Sequence, residues 1–308
     1  MKRKVICLMG QTGVGKSELA IRLSYELPIE IISVDSAMVY RGLDIGTAKP
    51  SQEQLKIVPH HLINIREPND IYSAGIFYHD TLTIIEKILL CGKIPVLVGG
   101  TMFYYWILQY GINYLPPSNK QIREKIQLEK ESNGVQSLFI KLQKIDKQSA
   151  SRISSNDYQR IQRALEVYEL TNVSMSTLHK NNLLKTIDYE FLNLAIVSKD
   201  RNFIYQIIEK RFLNMIGSGF IDEVRALYNR GNLNINLPSI RTIGYSHIWK
   251  YLLNQISYED MIQKAVTASR HLAKRQLTWL KKWNNIQYLY IDESHLWEKL
   301  IEIIFKKS

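Results

Sequence analysis

Apolar positions along the chain follow two rhythms. Near-continuous apolar runs at 5–9, 29–34, 94–98 and 191–197 read as short strands buried on both faces. Between them the spacing turns helical, at 18–23 and again at 76–90, where Ser73 is placed to cap the helix start. Strand alternating with helix predicts an α/β fold built on a parallel sheet. From Tyr114-Leu115-Pro116-Pro117 the texture changes. Residues 118–182 are polar, charged and helix-patterned, without a convincing strand, and the two prolines make a natural boundary. Strand character returns after Asn181-Asn182. The simplest organisation is a core of 1–117 and 183–308 with an all-α insertion domain at 118–182. The C-terminal part is mostly helical. A long amphipathic helix is expected over 258–283, then a closing strand at 286–291 and a terminal helix. No internal repeat and no low-complexity linker is evident.

The chain has 308 residues, 45% of them hydrophobic, enough for a sizeable core. No apolar run reaches about 18 residues, so no transmembrane helix and no membrane association is expected. The N-terminus enters a strand within a few residues and lacks a signal-peptide pattern. Cys7 and Cys91 both sit among apolar neighbours and read as reduced core residues, which suits the cytoplasm. Pro59-His60-His61 has no third ligand nearby and is assigned no metal. No self-association segment is evident, and a monomer is expected.

The net charge of +11 admits two readings: attraction to a polyanion, or a lysine-rich solvated surface. Its distribution favours the first. At about 100° per residue, Arg270, Lys274 and Lys281 share one sector of the long helix, with His271, Arg275 and Lys282 in the next. Ala268, Leu272, Leu277, Trp279, Leu280 and Trp283 take the other side. There is no acid between Asp260 and Asp292. A basic stripe of this kind points to nucleic acid.

The most informative chemistry lies at Gly10-Gln11-Thr12-Gly13-Val14-Gly15-Lys16-Ser17. The spacing G-x-x-x-x-G-K-S, between a strand and a helix, is that of a phosphate-binding P-loop. Its glycines let backbone N–H groups turn inward around phosphate oxygens, and the helix start adds more donors. Lys16 supplies a mobile positive charge and Ser17 a hydroxyl placed to ligate Mg²⁺. The fold class is therefore α/β, a P-loop NTPase-like parallel sheet flanked by helices, with the all-α insertion. The loop indicates a diphosphate or triphosphate, not necessarily a nucleotide.

The second strand delivers Asp35 to its C-terminal end, the edge where open α/β sheets bind ligands. Asp35 could hold Mg²⁺ or accept a proton from a nucleophile. As a turn former followed by Ser36, it could also be a local cap. Gly99-Gly100-Thr101 ends another strand and suggests a second wall of the phosphate site, with an ordinary glycine turn as the alternative. Three classes remain open on the residues alone. One is a kinase with a helical lid. Another is a nucleic-acid binder switched by ATP. The third is an enzyme acting on RNA, which the basic stripe suits best.

The motifs also carry a family resemblance, from the P-loop to Trp283. The chain resembles the tRNA dimethylallyltransferases, also called tRNA isopentenyltransferases. The resemblance lies in Val34-Asp35-Ser36-Ala37, Asp44-Ile45-Gly46-Thr47-Ala48-Lys49-Pro50, Tyr72-Ser73-Ala74 and Val98-Gly99-Gly100-Thr101. It continues in Asn156-Asp157, Gln159-Arg160, Arg163-Ala164-Leu165-Glu166-Val167, Gly219-Phe220 and Glu223-Val224-Arg225. It closes with Leu237-Pro238-Ser239-Ile240-Arg241, Gly244-Tyr245 and 273–280. Gln11 stands where the family often has proline, and Asn119-Lys120 where a small residue and an acid are common.

The resemblance implies transfer of a dimethylallyl group from dimethylallyl diphosphate to N6 of adenosine 37 of tRNAs that read codons beginning with U, with diphosphate released. It implies that residues 10–17 bind the diphosphate. Lys16, Thr101, Arg211 and Mg²⁺ on Ser17 would stabilise the departing anion, and Asp35 would take the amine proton. It further implies tRNA contacts at Asp35, Ser36, Ala37, Met38, Thr101, Arg123, Gln159, Arg160, Ile161, Gln162 and Arg163. Arg241, Thr242, Ile243, Gly244, Tyr245 and Ser246 would join them, and the insertion would clamp the anticodon stem-loop. Phosphate contacts at Lys274 and Lys281 rest on helical spacing.

Overall fold

The computed structural model describes residues 3–113, 115–181 and 189–306. Tyr114 and Asn182, at the two expected boundaries, lie outside the described residues. Two compact units are present, Met1–Gln109 with Asp188–Ser308, and Tyr110–Ile187.

The first unit opens with β1 (Lys4–Gly10), α1 (Lys16–Leu23), β2 (Ile29–Val34), α2 (Gln52–Ile57), β3 (His60–His61), α3 (Ala74–Leu90), β4 (Ile94–Gly99) and α4 (Met102–Tyr110). The second unit holds α5 (Lys120–Ile145), α6 (Lys147–Ala150), α7 (Tyr158–Thr171) and α8 (Met175–Asn181). The chain then returns through β5 (Glu190–Val197), α9 (Arg201–Gly217), α10 (Phe220–Asn229), α11 (Tyr245–Leu252), α12 (Tyr258–Leu280), β6 (Gln287–Tyr290) and α13 (Leu296–Lys306).

The six strands form one parallel sheet in the order β3-β2-β4-β1-β5-β6. The apolar runs become strands because both faces are covered by helices. Ile6, Leu8, Ile31, Val96, Leu194 and Ile196 are fully or almost fully buried in one core with α1, α9 and α13. β1 lies in the middle of the sheet, flanked by β4 and β5, so the loop after it opens at the strands' C-terminal edge.

Ser73 caps α3 by accepting from the Ile76 N–H at 3.3 Å. β3 is a two-residue edge strand that the apolar pattern does not reveal, since it consists of two histidines. His61 Nε2 lies 2.7 Å from Glu30 Oε2, a local hydrogen bond within the sheet edge. Cys91 is exposed, contrary to its apolar flanks, because it caps the C-terminus of α3 at the surface; Cys7 is buried in β1. The long C-terminal helix stops at Leu280, short of the expected Trp283.

The second unit has its own core. Ile126, Leu138, Leu142, Ile161, Ala164 and Leu165 pack together from α5 and α7. Gly134, at φ 77° and ψ 168°, breaks α5 into two helical stretches. Pro116 belongs to this unit, since its carbonyl accepts from Arg163 Nη2 at 2.6 Å. Among the described residues, no helix is long and apolar enough to cross a membrane.

Candidate active site

The glycine loop runs from the end of β1 into α1. Gly15 precedes the helix at φ 79°, a left-handed conformation that favours glycine. The backbone turns there and leaves the first N–H groups of α1 available for an anion. Val14 is buried in the core, so it can offer a ligand only its backbone. Ser17 is exposed on the first helical turn.

Lys16 folds back over the loop. Its Nζ donates to the carbonyls of Gly10 at 3.1 Å and Gln11 at 2.5 Å. Burial, reinforced by the nearby Arg211 guanidinium, pulls the ammonium pKa down to about 7, and the Asp35 carboxylate opposes the shift. Arg211, on α9, donates from Nη1 to Thr12 Oγ1 at 3.4 Å. The fold thus brings Lys16, Arg211 and Asp35, distant in sequence, within electrostatic reach of one another. A glycine loop with two cations beside it has the charge to receive an anion.

Asp35 sits in the turn after β2. Its Oδ1 accepts from the N–H groups of Ala37 at 2.8 Å and Met38 at 3.3 Å. The turn-former role is therefore realised, and it fixes the carboxylate beside the loop. Thr101 Oγ1 accepts from the Ser36 N–H at 3.2 Å, joining the ends of β2 and β4. The glycines before Thr101 serve close packing. A Cβ on Gly99 would lie 2.1 Å from the Val34 carbonyl oxygen, and one on Gly100 would lie 2.4 Å from Gln276 Nε2.

Gln276 is a residue that local spacing does not identify. It is buried on α12, accepts from the Thr12 N–H at 2.8 Å and donates to the Gly100 carbonyl at 2.9 Å. Gln11, also buried, accepts from the Ser198 N–H at 3.0 Å and ties the loop to the end of β5. Beside the loop, Gly13, Ile45, Ala48, Ile207 and Arg211 line part of a groove of about 460 Å³. The loop carrying Ile45 is held by Glu223 of α10, which accepts from the N–H groups of Asp44, Ile45 and Gly46. Lys49 closes the same loop, donating to Tyr40 O, Asp44 Oδ1 and Asn64 Oδ1. Among the described residues, no cluster of three or more His, Cys, Asp or Glu side chains could hold a metal.

Several expected RNA contacts need correction. Ile161 is fully buried in the core of the second unit, so its side chain cannot touch RNA. Tyr245 is also fully buried, and its hydroxyl donates to Glu223 Oε1 at 2.5 Å. Ala37 and Gly244 are buried too. Arg270 leaves the basic stripe: its Nη2 pairs with Glu209 at 2.7 Å on α9, and it lies over the Tyr205 ring. On the opposite side of α12, Ala273 and Gln276 are buried; Leu277, seven residues after Arg270, borders the stripe instead of facing away from it, and it and Trp279 are only half-buried.

Within the second unit, Arg123 and Arg163 converge on Glu166, which is fully buried. Arg123 donates from Nε at 2.8 Å and Nη2 at 3.1 Å, and Arg163 from Nη1 at 2.7 Å. Gln162 donates to the Arg123 carbonyl and the Tyr158 hydroxyl. Gln159 and Arg160 are exposed at the start of α7. Met38 is half-buried and Ser36 exposed; Arg241 is exposed, with Thr242, Ile243 and Ser246 half-buried after it. Lys274, Arg275 and Lys281 remain exposed at α12.

Residues 38–283 match the family described as IPP transferase. A protein of Coxiella burnetii named tRNA dimethylallyltransferase is 48% identical over 97% of this chain and 96% of its own length. Two crystal structures are similar to this fold. The tRNA isopentenylpyrophosphate transferase of Bacillus halodurans is 34% identical, with a TM-score of 0.73 over 99% of this chain and 97% of that one. A eukaryotic dimethylallyltransferase acting on tRNA is 27% identical, with a TM-score of 0.81 over 98% of this chain and 80% of that one.

Proposed function

The chain belongs to the IPP transferase family of tRNA dimethylallyltransferases, and from that premise we propose how its own residues carry out the transfer. It is a prenyltransferase with tRNA as substrate. The donor is dimethylallyl diphosphate, the acceptor is N6 of adenosine 37 in the anticodon loop, and the work is done in the cytoplasm. The observation that carries this reading is the convergence of Lys16, Arg211 and Asp35 on one phosphate loop. Two cations suit a departing diphosphate, and one carboxylate suits a proton that must be removed.

The allylic C–O bond breaks and its electron pair leaves with the diphosphate. Backbone N–H groups of residues 13–17, Lys16 and Arg211 stabilise that anion, with Thr101 at the adjoining strand end. Mg²⁺ fits the donor set only as a partner of the diphosphate, held through the exposed Ser17 hydroxyl. When bound it supplies further neutralisation of the leaving group. The adenine amine is a weak nucleophile because its lone pair is delocalised into the ring. It gains reactivity by being held close to the allyl carbon, after the base leaves the stack. As the N–C bond forms, the amine proton passes to Asp35, whose Oδ1 is fixed by two N–H groups and whose Oδ2 we assign to the amine. Contacts to tRNA are assigned to Ser36, Met38 and Arg241, to Gln159 and Arg160, and to Lys274 and Lys281.

The test is a transfer assay with Mg²⁺, labelled dimethylallyl diphosphate and an anticodon stem-loop bearing adenosine at position 37, beside the same RNA with guanosine there. Label should enter the adenosine RNA only. Asp35→Asn keeps the turn acceptor and removes the base, so turnover should fall at least about 100-fold while RNA affinity stays within twofold. Unchanged turnover would remove Asp35 as the base.

A further inference from the structure

Gln276 joins two parts of the site that reach it from opposite ends of the chain. Its Oε1 accepts from the Thr12 N–H at 2.8 Å, and its Nε2 donates to the Gly100 carbonyl at 2.9 Å. One backbone group is a donor in the phosphate loop, and the other is an acceptor in the turn that leads to Thr101. A primary amide satisfies both at once from a single side chain, with its acceptor and its donors on separate atoms. Gln276 is 4% exposed, so water does not replace either bond. The fit is tight on the far side as well, since a Cβ on Gly100 would come 2.4 Å from Nε2. Gln11 ties the loop only to β5, through Ser198. Gln276 spans from the loop to the β4 turn.

We propose that Gln276 is a positioning residue for the diphosphate cradle, holding the Thr12 segment and the Gly100–Thr101 turn at the separation the leaving group requires. The inference rests on reading the P-loop as a diphosphate site. Gln276 touches neither donor nor RNA in this role. Its effect passes through Thr12, which also accepts from Arg211, and through the turn that carries Thr101. Loss of the amide frees both walls at once. Binding of the diphosphate should suffer, and transition-state stabilisation with it, because preorganised donors lose their aim.

Three variants test this: Gln276→Met, which removes both hydrogen bonds at similar volume; Gln276→Glu, which keeps the acceptor but cannot donate when ionised; and Gly100→Ala, which pushes the amide aside. Inorganic diphosphate binding is measured by calorimetry in the presence of Mg²⁺, anticodon stem-loop binding by fluorescence anisotropy, and transfer kinetics with the prenyl donor. All three variants should weaken inorganic diphosphate at least fivefold and raise the donor KM, with RNA affinity within twofold and the melting transition still cooperative. If wild type binds no inorganic diphosphate, the diphosphate reading itself fails. If wild type binds it and Gln276→Met binds equally well, the positioning role is overturned. If only Gln276→Glu is weakened, charge and not positioning is responsible, and the role is likewise overturned. If one variant unfolds, the remaining two decide.

Discussion

Lys16 carries a prediction that follows from its surroundings. Burial and the neighbouring Arg211 lower its pKa to about 7 from 10.5. The unfolded chain therefore binds the proton more tightly between these values. Stability rises with pH across that window, and the charged lysine costs stability most fully below pH 7. Lys16→Met should raise the melting temperature of the ligand-free protein at pH 7, by about 2 °C or more for a gain of about 1 kcal/mol. The same variant should lose diphosphate binding. A scanning-calorimetry comparison at pH 7 and pH 10 checks both signs, because the gain should shrink at the higher pH. An unchanged melting temperature at pH 7 would show that the ammonium is not strained in the free protein. Lys16 is legible in the sequence because a P-loop is a local pattern of consecutive residues. Gln276 is not, because its partner Thr12 lies 264 positions away and glutamine has no spacing signature. Arg211 shares that obscurity: only the resemblance singles it out, and only the fold sets it beside Thr12.

At the scale of elements, Glu166 organises the second unit. Burial alone would raise its pKa, but hydrogen bonds from Arg123, Arg163 and the Asn119 N–H outweigh burial and hold it below the usual 4.5. A depressed carboxylate contributes stability that is present above its unfolded pKa and lost as pH falls through the folded value. Glu166→Gln leaves two guanidiniums around a neutral amide. Removing one partner of a buried pair costs roughly 3–5 kcal/mol, and the partly exposed arginines place this case at the low end. Hydrogen exchange of α5 and α7 amides in the full protein should accelerate in the variant, while amides of β1 and β4 keep their protection. Equal protection in α5 and α7 would show the network to be dispensable. The resemblance points to Arg123 and Arg163 as RNA contacts; spacing permits the i,i+3 pairing of Arg163 with Glu166, but not the burial of that acid or the arrival of Arg123 from α5. Spacing states which residues share a face. It does not state what the face meets. The same gap explains Arg270, which lies on the predicted stripe but turns to Glu209. Strands are legible, since burial on both faces writes itself as an apolar run, whereas β3 is hidden in two histidines paired to β2.

For the whole molecule the decisive quantity is where the +11 net charge resides. Many surface cations have an acid beside them: Arg3 with Glu86, Lys93 with Glu30, and Lys199 and Lys299 with Glu293. Exposed Lys274, Arg275 and Lys281 have no ion-pair partner among the described residues. Paired charges at a surface contribute little to association, while unpaired ones attract phosphates and release counterions when they bind. Removing one cation that meets a phosphate should flatten the salt dependence of RNA affinity by about 0.7–0.9 in log–log slope. The triple variant Lys274→Ala, Arg275→Ala, Lys281→Ala should therefore reduce the slope by about 2 and weaken RNA binding most at low salt. Inorganic diphosphate binding should not change, because Gln276 faces the other side of α12 and its hydrogen bonds to Thr12 and Gly100 remain. Measured between about 50 and 200 mM salt, a slope equal to that of wild type would return these residues to the solvated-surface alternative. A parallel loss of diphosphate binding would instead show that α12 was displaced. The two faces of one helix can be separated in this way because RNA attraction is screened by salt, whereas the hydrogen bonds of a buried amide are not.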